Sequence, residues 1–102
     1  MGKGRMDNLL SMAQRAGKVV SGDLAVQKAL TAGQARLLIL ATDASDDTKK
    51  KYGNLARQHK VKVVEGLTKD ALGHCLGKEY RAVAALLDRG FSEALGKRIQ
   101  SD

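Results

Sequence analysis

The sequence predicts an α/β protein: a three-layer α/β/α sandwich around a small mixed sheet of about four strands. Two observations carry most of this. The runs "RLLILAT" (36–42) and "RAVAALLD" (81–88) are almost unbroken in apolar character, and at that length they read as strands buried on both faces. Segments of helical periodicity alternate with strand-like runs along the whole chain, the pattern that layers helices on both faces of a sheet. A third observation sets the scale. At 102 residues, 43% of them hydrophobic, the chain suits one domain with its own core and no disulfide staples.

The elements follow in order. "RMDNLLSMAQR" (5–15) is an amphipathic helix with Met6, Leu9, Leu10 and Ala13 on one face, ended by Gly17. "KVVSG" is a short strand. A second helix runs from about Asp23 to Ala32 and closes at Gly33. After the strand at 36–42, Ser45 offers an N-cap for a third helix. Asp46 and Asp47 lie in its first turn and Lys49 to Lys51 follow, the charge order a helix dipole favours. "VKVVEG" is the next strand, and "LTKDALGHCLG" a short helix capped by Thr68. The strand at 81–88 and a last helix, "RGFSEALGKRIQ", complete the chain. Residues 1–5 and 96–102 are expected to be mobile ends.

Composition narrows the function. No apolar run reaches the roughly 18 residues of a membrane span. No apolar segment follows the basic N-terminus, so neither a membrane nor secretion is expected. The single cysteine, Cys75, fits a reducing cytoplasm, and its apolar neighbours suggest a buried, inert thiol rather than a nucleophile. The net charge of +7 favours anionic partners, with nucleic acid first among them. That charge is spread evenly: residues 1–50 hold eight basic and five acidic side chains, and residues 51–102 hold ten and six. Any binding surface must therefore be assembled by folding. Tyr52, Tyr80 and Phe91 are the only aromatic residues, too few for a sheet that stacks bases on exposed rings.

The inventory for catalysis is thin. His59 and His74 have no partner at metal-ligand spacing and read as solvated or capping side chains. Asp46-Asp47 is explained by its place in a helix first turn. No glycine-rich segment matches a phosphate-loop or dinucleotide fingerprint. The expectation is a protein that is not an enzyme and needs no cofactor or metal.

The inventory for binding is better. In "VVSGDLAVQKAL" (19–30), Val26, Ala29 and Leu30 share the face that packs on a core, whereas Leu24 and Lys28 lie one turn apart on nearly the opposite face. The helix thus opens by presenting a leucine, a lysine and its own free N–H groups outward. "GKEYRA" (77–82) enters a buried strand and packs Lys78, Glu79, Tyr80 and Arg81 together. Loops at one end of an open α/β sheet gather into one site, so these two segments are expected side by side.

The order "KVVSGDLAVQKALTAGQARLLILATDAS", then "LGHCLGKEYRAVAALLDRGF", resembles the kink-turn RNA-binding ribosomal-protein family of the archaeal L-seven-Ae type. It is closest to that family's bacterial YlxQ-type branch. The resemblance runs from about Leu9 to Leu95. It is most specific in the spacing Gly22 to Lys28, the strand "LLILATDAS", and Leu72-Gly73 with Gly77-Lys78. It implies an α/β/α sandwich that binds sharply bent RNA carrying tandem sheared G·A pairs, in ribosomal or other structured RNA. The helix after Gly22 would enter the widened groove, and the loop Gly77–Arg81 would close over a flipped-out nucleotide. The implied RNA-contacting set is Lys18, Gly22, Asp23, Leu24, Ala25, Lys28, Asp43, Gly77, Lys78, Glu79, Tyr80 and Arg81. The archaeal pattern has Asn-Glu where this chain has Leu24-Ala25. Losing two base-edge partners weakens readout by roughly 1–3 kcal/mol each, leaving backbone, Lys28 and shape contacts with more of the binding. The expected protein is a cytoplasmic monomer that meets structured RNA, with the ribosome as a further candidate partner. The alternative is a ribosome-associated protein–protein module with nonspecific RNA affinity, using Leu24 and Tyr80 as its patch. A small enzyme acting on a phosphorylated substrate through the Gly22 helix start is the least supported reading, since no titratable residue stands out to serve it.

Overall fold

The computed structural model describes the backbone of residues 2–101 and the side chains of residues 6–96. Five helices and four strands follow one another as α1 (Gly2–Arg15), β1 (Val19–Ser21), α2 (Asp23–Thr31), β2 (Leu37–Leu40), α3 (Asp46–Gln58), β3 (Lys62–Glu65), α4 (Lys69–Cys75), β4 (Val83–Leu86) and α5 (Arg89–Ser101). The order matches the sequence reading, although α1 begins three residues earlier than its amphipathic pattern indicates. The expected mobile ends fall, apart from Gly96, on residues whose side chains lie outside those described.

The sheet is mixed, in the order β1-β4-β2-β3. β2 and β3 run parallel, with Leu37 opposite Lys62 and Leu40 opposite Glu65. β4 is antiparallel to both of its neighbours, pairing Val83 with Leu40 and Ala84 with Ser21. The two central strands, β2 and β4, are buried at every residue, as their unbroken apolar runs require. β3 lies at an edge and keeps only Val64 fully buried, so Lys62 and Glu65 project into solvent.

Alternation along the strands divides the core in two. Leu37, Ile39, Ala84 and Leu86 point to one face, where they pack with Met6 and Leu10 of α1, Leu72 and Cys75 of α4 and Leu95 of α5. Leu38, Leu40, Val83 and Ala85 point to the other, against Val26 and Leu30 of α2 and Tyr52 and Ala56 of α3. The result is the three-layer sandwich, 31 × 27 × 25 Å overall. Among the described residues no helix is long and apolar enough to cross a membrane.

The strand directions give the sheet two functionally distinct ends. At one end β1, β2 and β3 finish and β4 starts; we call this the near end. The far end is where β1, β2 and β3 start and β4 finishes.

Candidate nucleic-acid interface

Gly22 links β1 to α2 at the near end with φ 91°, a left-handed conformation that disfavours any side chain. Its own N–H is spent on the Val83 carbonyl of β4, at 3.1 Å, which pins the helix start to the sheet. No side chain caps α2. The other helices whose starts are described in full are closed. Ser45 accepts from the Thr48 N–H of α3, Thr68 from the Ala71 N–H of α4, and the Asp88 carboxylate from the Phe91 N–H of α5. Among these, α2 alone opens with a bare first turn, leaving backbone donors and the positive end of its dipole for whatever lies beyond.

Beside that first turn lies a cleft of about 440 Å³ lined by Ser21, Gly22, Asp23, Leu24, Ala25 and Lys28. Leu24 is 73% exposed, the most exposed large apolar side chain among the described residues, and Lys28 is exposed one turn on. Val26, Ala29 and Leu30 are buried on the opposite face, as the periodicity predicts.

The Gly77–Arg81 loop reaches the same place. Arg81 donates from Nε to Ser21 Oγ at 3.1 Å and from a terminal nitrogen to the Tyr80 carbonyl at 2.9 Å. The Arg81 N–H bonds to the Lys69 carbonyl, and the Lys78 N–H to the Gly73 carbonyl. The loop is held close to α4 because Gly73 carries no side chain: a Cβ there would stand 2.7 Å from the Tyr80 nitrogen. Tyr80 is 57% exposed, and Gly77, Lys78 and Glu79 are exposed beside it. The two segments expected to be neighbours are neighbours.

Other residues of the expected set have different situations. The Asp23 carboxylate accepts a hydrogen bond from the buried Tyr52 hydroxyl and lies 3.7 Å from Lys51 Nζ. Burial, reinforced by that carboxylate, pushes the Tyr52 phenol up to about 12. Asp43 accepts from the Lys69 N–H at 2.8 Å, supporting the start of α4 at the near end. Lys18 precedes β1, where its carbonyl accepts from the Leu87 N–H. That puts it at the far end, about 13 Å along the strand from Gly22. The structure does not bring Lys18 to the cleft.

Cys75 is buried, and desolvation together with the Asp7 carboxylate pushes its thiol up to about 11. His59 and His74 are both exposed, and no group of three metal-ligating side chains occurs among the described residues. Sequence reading missed two structural supports: the Tyr52–Asp23 contact and the steric role of Gly73. The first joins residues 29 apart with no local signal. The second had one, a glycine inside a short helix, where only close packing offsets its lost propensity.

Comparison with known proteins places this geometry among relatives. The model of the ribosomal protein L7Ae/L30e/S12e/Gadd45 family matches residues 4–96. The RNA-binding protein YlxQ of Bacillus subtilis is 40% identical over 87 residues, covering 85% of this chain and 87% of that protein. A Bacillus halodurans protein described as of unknown function superposes with a TM-score of 0.88 at 35% identity, over 93% of this chain and 96% of that one. The Giardia lamblia 15.5kD RNA binding protein shares the fold at a TM-score of 0.75 and 20% identity, over 93% of this chain and 82% of its own.

Proposed function

Since the chain belongs to the ribosomal protein L7Ae/L30e/S12e/Gadd45 family, we propose that it is a non-enzymatic RNA-binding protein whose near end recognises kink-turn or similarly bent structured RNA. One observation carries the reading. The uncapped start of α2, with Leu24 and Lys28 turned outward, is tied through Ser21 and Arg81 to the exposed Lys78–Tyr80 loop. A widened groove offers phosphates and base edges to the α2 donors and to Lys28. Leu24 and Tyr80 offer apolar surface to unstacked bases, a contact every base accepts. Gly22 allows the backbone to approach closely, with Arg81 held beside it.

Leu24 and Ala25 bring no side-chain hydrogen bond to a base edge. Recognition in this reading therefore rests on the shape of the bent helix and on phosphate contacts, with little direct base readout.

The exposed pair Leu24 and Tyr80 favours a second reading, an apolar docking patch on a ribosome-associated protein module with nonspecific RNA affinity. Nonspecific affinity is itself salt-sensitive, so the dependence on Lys28 separates the two. A titration of a kink-turn RNA over a range of salt concentrations should show affinity falling steeply and linearly on a log–log plot, and Lys28→Ala should make the slope shallower by about one. A salt slope that Lys28→Ala leaves unchanged would contradict the first reading and leave the second.

A further inference from the structure

The near end is close to neutral. Around the α2 start, the α4 start and the Gly77–Arg81 loop, Lys28, Lys69, Lys78 and Arg81 are matched in number by Asp23, Asp43, Asp70 and Glu79. Both ion pairs among the described residues also involve this end, Lys51 with Asp23 and Lys49 with Glu65. The excess positive charge must lie elsewhere.

The far end of the sheet holds a large share of it. Every strand has a cation there: Lys18 before β1, Arg89 after β4, Arg36 before β2 and Lys62 at the start of β3. Because the strands are ordered β1-β4-β2-β3, these four residues form a row about 14 Å long. All four are exposed, and no carboxylate of the described residues comes within 4.0 Å of their charged nitrogens. Arg36, Lys62 and Arg89 also line one cleft of about 420 Å³ with buried Leu37, Ser92 and a single acid, Glu93. Lys60, held at φ 59°, adds an exposed cation two residues before Lys62.

We propose that this far end is a second RNA-contacting surface, taking the sugar–phosphate backbone of another segment of the RNA bound at the near end. A row of unpaired cations along a cleft matches a line of phosphates. The cleft has no aromatic ring on which a base would stack, and its exposed cations suit phosphate oxygens. The two ends stand about 17 Å apart along β2, so one RNA folded back on itself, or carrying a long arm past the bend, meets both. The inference rests on RNA being the partner. It adds that the protein clamps two segments and so stabilises their relative placement.

The test uses the intact protein, the triple variant Arg36→Gln/Lys62→Gln/Arg89→Gln, and two kink-turn RNAs. One has arms just long enough to hold the bend, and the other has an arm extended by two helical turns. These side chains make no hydrogen bond or ion pair among the described residues, and equal melting temperatures would verify that the fold is kept. The triple variant should bind the short RNA like wild type. It should bind the extended RNA about tenfold more weakly, with a salt slope shallower by about three. In wild type, the backbone amide resonances of Arg36 and Lys62 should shift on adding the extended RNA and stay still with the short one. Equal loss on both RNAs, or no loss on the extended one, would overturn the second surface while leaving the near-end site standing. Failure of wild type to bind either RNA would overturn both.

Discussion

The Nε of Arg81 donates a 3.1 Å hydrogen bond to the Oγ of Ser21, fastening the loop that enters β4 to the last residue of β1. Two segments 60 residues apart thereby present one surface. Arg81→Ala removes both the fastening and a cation. RNA affinity should fall by roughly 1–3 kcal/mol, and stability by only about 0.5–1.5 kcal/mol, the worth of an ordinary hydrogen bond. Binding titrations and urea melts on the same sample check the two numbers. Arg81→Lys should recover part of the affinity, because it keeps charge but loses the planar fork that bonds in two directions.

Gly73 controls how closely the same loop lies on α4. A Cβ at that position would stand 2.7 Å from the nitrogen of Tyr80 and 2.9 Å from its carbonyl carbon, so backbone must move. Gly73→Ala should cost about 1–3 kcal/mol of stability and weaken RNA binding as well, since Tyr80 and Arg81 move with the loop. Gly53 supplies the contrast. It lies within α3 with open space where a Cβ would go, so Gly53→Ala should stabilise by about 0.5–1 kcal/mol and leave RNA binding unchanged. Thermal melts of the two variants should move in opposite directions.

Much of this was legible in the sequence, for identifiable reasons. β2 and β4 are apolar at every position because both faces are covered, and that signal is local. The α2 periodicity told its buried face from its outward one. The sheet order was not legible, because β1 pairs with β4 across more than 60 residues and nothing in either strand names the other. Lys18 illustrates a subtler loss. It adjoins the β1–α2 segment in sequence, but an extended strand carries it to the opposite end of the sheet. Asp43 lies at the near end, yet its carboxylate is occupied by the first N–H of α4. Its sequence position gave no sign of that bond.

Tyr52 makes a pH-dependent contribution whose sign follows from its environment. Burial and the Asp23 carboxylate raise its phenol from 10 to about 12 in the folded protein. Between those values the unfolded chain has lost the proton and the folded one has kept it. The stabilisation is therefore complete below pH 10 and is lost as pH rises toward 12. Tyr52→Phe lacks this component. The difference in unfolding free energy between wild type and Tyr52→Phe should shrink across that window and stay constant from pH 7 to 9.

Cys75 should be slow to react. Its thiol is buried and raised to about 11, so little thiolate exists at pH 8 and access to it is poor. A chromogenic thiol reagent should react with the native protein orders of magnitude more slowly than with the urea-unfolded chain. Comparable rates would mean that the α1–α4 packing opens readily in the native state.

The most direct test compares two RNAs at near-physiological salt: one containing a kink-turn, and the same RNA with its G·A pairs replaced by Watson–Crick pairs. Recognition by the near-end cleft predicts clear preference for the bent RNA, and predicts that Lys28→Ala and Arg81→Ala each reduce it. Equal, salt-sensitive binding to both RNAs, unaffected by either substitution, would contradict kink-turn recognition at this site.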